Sequence, residues 1–214
     1  IANTKIDQAK YDEAIELFQQ SSTIYKEYSP SHQHIAENLT DLGYIKYQQR
    51  KFDESLKHYE LAVELLERFH PSNYNNIITS LDWIGAIWEE KRFYYSATIS
   101  YEKSLKVKEA SLSPGHLSIV DCLVKLANLE RTLGRYNSSL RYELQCLSIH
   151  EEILPPNDEN IVHSLCRIGE CYEELSVFNV AVNYYKRAFA VGEQYFPLGS
   201  TNRKELDDRI EKLS

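Results

Sequence analysis

Apolar positions recur along this chain at helical spacing. Ile35, Leu39, Leu42 and Tyr47 fall on one helix face, and Phe52, Leu56, Tyr59, Val63 and Leu66 do so again after a break. The break, Gln48-Gln49-Arg50-Lys51, is polar and short enough only for a tight helix–helix connection. The pattern predicts a hairpin of two antiparallel helices of about four turns each. It then repeats. Tyr11, Phe52, Tyr94, Tyr136 and Phe178 follow one another at intervals of 41, 42, 42 and 42 residues. Nine residues upstream of each, the small residues Ala2, Gly43, Gly85, Ala127 and Gly169 keep the same intervals. A repeat of this length signals stacked copies of one two-helix unit, not a single closed globule. The predicted fold class is therefore all-α, a solenoid of stacked antiparallel helix hairpins.

Proline punctuates the pattern in phase. Ser29-Pro30-Ser31-His32, His70-Pro71-Ser72-Asn73, Ser113-Pro114-Gly115-His116, Pro155-Pro156-Asn157-Asp158 and Phe196-Pro197-Leu198-Gly199-Ser200 all fall between units. Proline cannot continue a helix and turns the preceding residue away from helical angles, and the Ser, Asn or Asp that follows can cap the next helix. The small residue inside each first helix predicts a close approach by another helix. Glycine costs about 1 kcal/mol there relative to alanine, and three of the four complete units accept that cost at the same place, which implies a steric demand.

These residues resemble the tetratricopeptide repeat, whose pattern runs W-x2-L-G-x2-Y, then A-x3-F, then Pro. The first half appears as Leu39-x2-Leu42-Gly43, Leu81-x2-Ile84-Gly85-x2-Trp88, Leu123-x2-Leu126-Ala127 and Leu165-x2-Ile168-Gly169-x2-Tyr172. The second half appears as Ala14-x3-Phe18, Ser55-x3-Tyr59, Ala97-x3-Tyr101 and Ala181-x3-Tyr185. The fourth unit departs from the pattern, with Glu130 and Glu143 where aromatics are wanted, and looser packing is expected there. The usual period is about 34 residues, so the longer unit resembles the kinesin light chain type of repeat, with about one extra turn per helix. The resemblance implies a right-handed superhelix of hairpins whose first helices line a concave face that grips a peptide or helix of a partner.

The expected organisation is one repeat array: a partial first repeat over 1–28, complete repeats over 32–69, 73–111, 115–153 and 158–195, and a helix over 201–213. That last helix has an apolar stripe of Leu206, Ile210 and Leu213 and reads either as a cap or as the start of a sixth hairpin. Ile1 falls in mid-repeat and the chain has no methionine, which reads as a fragment of a longer protein.

Carried over position by position, the resemblance nominates first-helix residues as the groove. Tyr44 and Tyr47 come from the second unit, with Thr40, Asp41 and Gln48 beside them. Asp82, Trp83 and Glu89 come from the third, Lys125, Asn128 and Arg131 from the fourth, and Arg167 and Glu170 from the fifth. The three aromatics read either as interface anchors or as packing between neighbouring first helices. Charge alternates from Glu89 and Glu90 to Lys125 and Arg131, then to Glu170, Glu173 and Glu174. That order suits a ligand of mixed charge, basic at its ends, or reads as a solvated helix face. The Lys and Asn clamp that some family members use for a terminal carboxylate is not reproduced, so chaperone-tail binding is not expected.

Composition narrows the partners. With 24 Lys and Arg against 32 Asp and Glu, the net charge is −8, which repels phosphate backbones and anionic lipid. No apolar run is long enough to span a membrane. Cys122, Cys146, Cys166 and Cys171 form no CxxC pair, so free thiols packed as small apolar residues are expected, together with a reducing, cytoplasmic setting. The sequons at Asn38 and Asn137 sit in or beside expected helix and are not expected to carry glycans. Of the seven histidines, His32, His70 and His116 lie at or near turns, where capping or solvation is expected. No catalytic triad, phosphate-binding glycine loop or usable carboxylate pair is present, and no cofactor or metal is called for. The chain reads as a non-enzymatic scaffold for a protein or peptide. A peptide-sensing regulatory domain and an accessory domain of a larger enzyme are the alternatives, and the oligomeric state is left open.

Overall fold

The computed structural model describes residues 17, 20, 32–192 and 201–213, with side chains from 204 onward in the last stretch. Expectations for Ala2, Tyr11, the partial first repeat and the joints at Pro30 and Pro197 lie outside them. All regular structure among the described residues is helical. The chain divides into two compact units, Ile1–Ser111 and Leu112–Ser214.

Among the described residues the first unit holds two hairpins, α1 (His32–Gln48) with α2 (Phe52–Phe69) and α3 (Tyr74–Glu90) with α4 (Tyr94–Ser111). The second holds α5 (Leu117–Thr132) with α6 (Tyr136–Ile153), α7 (Glu159–Glu174) with α8 (Phe178–Gly192), and a final helix α9 (Thr201–Leu213). Within each unit the second helix of one hairpin packs on the first helix of the next. In the first unit Leu56, Tyr59, Val63 and Leu66 of α2 close on Ile77, Leu81, Ile84 and Ile87 of α3. In the second, Ile161, Leu165 and Ile168 of α7 meet Ala181, Tyr185 and Ala188 of α8, and α9 adds the expected stripe of Leu206, Ile210 and Leu213.

The small residues have a definite partner, the second-helix tyrosine sixteen residues on. A Cβ built on Gly43, Gly85 or Gly169 falls 2.8, 2.7 or 2.5 Å from the ring of Tyr59, Tyr101 or Tyr185. Each of these tyrosines is essentially inaccessible to solvent. Four residues before each ring, the fully buried Ser55, Ala97 and Ala181 let the two helices come close, and the Ser55 hydroxyl donates to the Gly43 carbonyl at 2.7 Å. Ala127 is the exception, and opposite it stands Glu143. Glu130 and Glu143 are both buried.

The four described hairpin turns close in the same way. Arg50, Arg92, Gly134 and Ser176 occupy equivalent positions and all have positive φ, between 58° and 71°. The next residue's N–H reaches back across the turn: Lys51 to Lys46, Phe93 to Trp88, Arg135 to Glu130 and Val177 to Tyr172. This is a Schellman closure, whose left-handed residue favours glycine because any Cβ is crowded there. Arg50→Gly, Arg92→Gly and Ser176→Gly are each expected to stabilise the protein by about 0.5–1 kcal/mol, and Gly134→Ala to destabilise it by a similar amount. Urea unfolding curves of the four variants check this. At the joints within the second unit, His116 Nδ1 accepts from the Ser118 N–H and Asp158 Oδ1 from the Asn160 N–H, so both side chains cap the helices that follow.

Candidate functional site

In the first unit the nominated aromatics form one cluster on the first-helix side. Trp83 on α3 lies edge-on to Tyr44 (ring centroids 5.5 Å apart) and tilted to Tyr47 (5.0 Å). Its indole stacks on the buried Tyr59 ring, 6.1 Å away with planes 7° apart. All three nominated rings are half-buried, so each packs against a neighbour on one side and meets solvent on the other. Asp41, also half-buried, has its carboxyl pushed up to about 6, first by burial and then by the Glu37 charge.

Asp82 and Glu89 face inward as well as along the helix. The Asp82 carboxylate accepts from Ser104 at 2.6 Å and from the Lys108 ammonium at 2.8 and 3.1 Å, both from α4 of its own hairpin. Glu89 accepts from the Tyr101 hydroxyl at 2.6 Å. The same pair recurs in the second unit, where Tyr185 donates to Glu173 at 2.9 Å. In the hairpin of α1 and α2 the equivalent acceptor position is Tyr47, so the buried Tyr59 hydroxyl has no partner.

In the second unit two of the nominated charges, Arg131 and Glu170, join in a chain that α9 extends. Arg131 on α5 donates to Glu170 on α7 at 2.8 Å and to Asn128 at 2.6 Å. Arg209 on α9 lies 3.4 Å from Glu170 and 3.5 Å from Glu173, and donates to the Tyr185 hydroxyl at 2.9 Å. Lys125 and Asn128 are exposed, whereas Arg131, Arg167 and Glu170 are half-buried. Arg167 makes no ion pair with any described residue. Arg209 was not among the nominated residues, although the 42-residue period carries it: Lys125, Arg167 and Arg209 follow one another at intervals of 42 residues on α5, α7 and α9. Cys166, on the same face, has its thiol pushed up to about 11 by burial, so it is a poor nucleophile. All four cysteines are free. No cluster of three metal-ligating side chains occurs among the described residues.

Beneath this face lies the departure from the repeat. Glu143 occupies the position held by Tyr59, Tyr101 and Tyr185. It is fully buried, neither carboxylate oxygen has a hydrogen-bond partner, and burial pushes the carboxyl up to about 7. The Arg167 and Arg131 charges pull the other way, and Glu170 adds to the rise.

Two stretches of the chain, residues 1–68 and 119–160, match family models of the tetratricopeptide repeat, and the hairpins, their small-residue contacts and their turns agree. The chain is a tetratricopeptide repeat protein. Among solved structures this repeat protein resembles a Podosopora anserina protein built of nearly identical kinesin light chain TPR-like repeats. The two share 16% identity with a TM-score of 0.67, covering 91% of this chain and 92% of that one. It also resembles BtubC (BKLC) of P. vanneervenii, at 12% identity and a TM-score of 0.64, over 100% and 83% of the two chains. RapI in its apo form matches at 13% identity and a TM-score of 0.70, over 98% of this chain and 55% of that one. At such identities the likeness shows the fold, an α-solenoid of repeat hairpins. No curated protein matches the chain. No helix among the described residues is long and apolar enough to cross a membrane.

Proposed function

We propose that the first-helix face of each unit binds a segment of another protein, so that the chain acts as a non-catalytic interaction scaffold in a reducing, cytoplasmic setting. The observation that carries the reading is the polar face of the second unit. Arg131, Glu170 and Arg209 link α5, α7 and α9 while staying partly open to solvent. Arg167, half-buried among them, has its charge unmatched by an ion pair. A half-buried cation that makes no direct ion pair gains from a carboxylate brought in by a partner. Glu170 and Glu173 beside it favour a base on the same segment, so the ligand is a peptide or helix of mixed charge. In the first unit the solvent side of Tyr44, Tyr47 and Trp83 offers an aromatic platform of the kind that anchors interfaces. The net charge of −8 argues against nucleic acid.

The test is a pull-down from cell extract with the wild-type chain, Arg167→Glu and Trp83→Ala, each checked for helix content by circular dichroism. Recovery of a bound protein is expected to fall at least tenfold with Arg167→Glu, because a carboxylate in the ligand would then face a like charge. Equal recovery by wild type and both variants would refute the reading.

A further inference from the structure

The opposite face of the first unit carries a second feature that the first-helix reading does not use. Two cavities lie in the cleft between the second helices α2 and α4, over a floor contributed by α3. One, of about 360 Å³, has Val63, Leu81, Ile84, Trp88 and Ile99 as its apolar surface. The other, of about 320 Å³, has Tyr74, Ile77 and Val107. Glu67 borders both, so they follow one another along the same cleft. Ile99 and Tyr74 are 40% and 41% exposed. Both side chains border cavities that no described side chain of the unit fills.

The rims are charged, with opposite sign on the two sides. Glu60, Glu64 and Glu67 lie along α2, and Lys103 and Lys106 along α4. All five are exposed, and none pairs with another described residue. Glutamates at positions 60, 64 and 67 stand one turn apart on one helix face, as do lysines at 103 and 106. Rims of opposite sign that remain unpaired across an apolar trough present two lines of charge to whatever enters it.

The spacing selects the shape of that occupant. Along α4 the first cavity is bordered by Ser96 to Lys103 and the second by Lys106 to Ala110, so their centres are about eight residues, or roughly 12 Å, apart. Two large side chains seven residues apart on an α-helix are separated by about 10.5 Å along its axis. We propose that the α2–α4 cleft of the first unit docks an amphipathic helix of a partner protein. Its apolar stripe places large side chains about seven residues apart into the two cavities. Its Lys or Arg flank lies along Glu60, Glu64 and Glu67, and its Asp or Glu flank along Lys103 and Lys106. This is helix-in-groove recognition, on the face opposite the one proposed for peptide binding, so the scaffold holds two partners at once.

The probe is a designed 18-residue helical peptide with leucines at i, i+3, i+7 and i+10, lysines along one flank and glutamates along the other. Fluorescence anisotropy measures its affinity for the 214-residue chain. Ile99→Asp places a charge on the exposed rim of the larger cavity and is expected to weaken binding at least tenfold with helix content unchanged. Glu64→Lys with Glu67→Lys is expected to weaken it several-fold, and a peptide carrying glutamate on both flanks then binds this double variant more tightly than it binds wild type. Arg167→Glu, in the second unit, leaves the affinity unchanged. The proposal is overturned if the designed peptide binds no better than a scrambled peptide lacking the apolar stripe, or if Ile99→Asp leaves its affinity intact. It is also overturned if the chain self-associates and Ile99→Asp abolishes that association, because the occupant would then be a second copy.

Discussion

Asp82→Ala is expected to lower the unfolding free energy by about 3 kcal/mol, among the largest losses a single substitution in the first unit would cause. The reason lies in its partner. Lys108 is 2% exposed, and within hydrogen-bonding reach its ammonium has the Asp82 carboxylate at 2.8 and 3.1 Å. Removing the carboxylate strands a cation that water cannot reach, and it also orphans the fully buried Ser104 hydroxyl. A buried pair replaced as a whole by apolar groups behaves differently, because the desolvation penalty leaves with the attraction. Asp82→Leu combined with Ser104→Ala and Lys108→Met is therefore expected to lie within about 1 kcal/mol of wild type or above it. Urea unfolding at neutral pH measures both. A small loss in Asp82→Ala would show that Lys108 reaches water or a new acceptor. The functional consequence is that an Asp82 variant tests the fold before it tests binding, so Arg167 is the cleaner probe of the first-helix face.

The second large effect is set by pH. The Glu143 carboxyl ordinarily titrates near 4.5 and in the folded chain near 7. Below 4.5 the proton is on in both the folded and the unfolded chain. Between 4.5 and 7 the folded chain keeps it and the unfolded chain does not, so stability falls as pH rises through this window. The total loss is about 3 kcal/mol, complete above pH 7. Glu143→Gln cannot titrate. The difference between wild type and Glu143→Gln, measured by urea unfolding at half-unit steps from pH 4 to 8, is expected to follow this curve. Asp41 contributes a fall of the same direction through its raised carboxyl. His58 and His150, whose rings are held below their ordinary range chiefly by burial, contribute the opposite trend. Subtracting the variant removes all three. A flat difference curve would mean that Glu143 finds a partner in solution, with Arg131 the nearest in register, since the equivalent pairs Tyr101–Glu89 and Tyr185–Glu173 touch.

Glu143 also has a steric signature. Glycine faces tyrosine in three hairpins, and alanine faces glutamate in the fourth. Glu143→Tyr alone would press a ring against the Ala127 Cβ, and Ala127→Gly alone would open space inside the helix. Together they restore the pairing of the other hairpins, so the double variant is expected to be about 1–3 kcal/mol more stable than the sum of the singles predicts.

Much of this was legible in the residues. The alternation of apolar stripes and the proline joints placed the helices from His32 onward, because burial of one helix face is a local, periodic demand that every unit must meet. The glycine positions were legible for the same reason, since a side chain that cannot fit leaves its mark as an absence at a constant interval. The stripe of α9 emerged from three residues alone. The period placed Tyr44, Tyr47 and Trp83 on first helices, but whether they pack or project was not decided by type or spacing.

What the period could not carry was the pairing of polar groups. Asp82 and Lys108 lie 26 residues apart, and Arg209 joins Glu170 from another helix. A repeat assigns each residue an angle on its own helix, whereas a salt bridge depends on the distance between two side chains that different helices bring together. The same limit hid the buried Glu143 and the charged cleft between α2 and α4. Helix, hairpin and stacking order are therefore properties of the amino-acid sequence itself, written in burial that each unit satisfies within itself and against its neighbour. Which charges are spent inside the fold and which remain for a partner was decided only when the helices met, because electrostatic energy falls with separation in space and takes no account of separation along the chain.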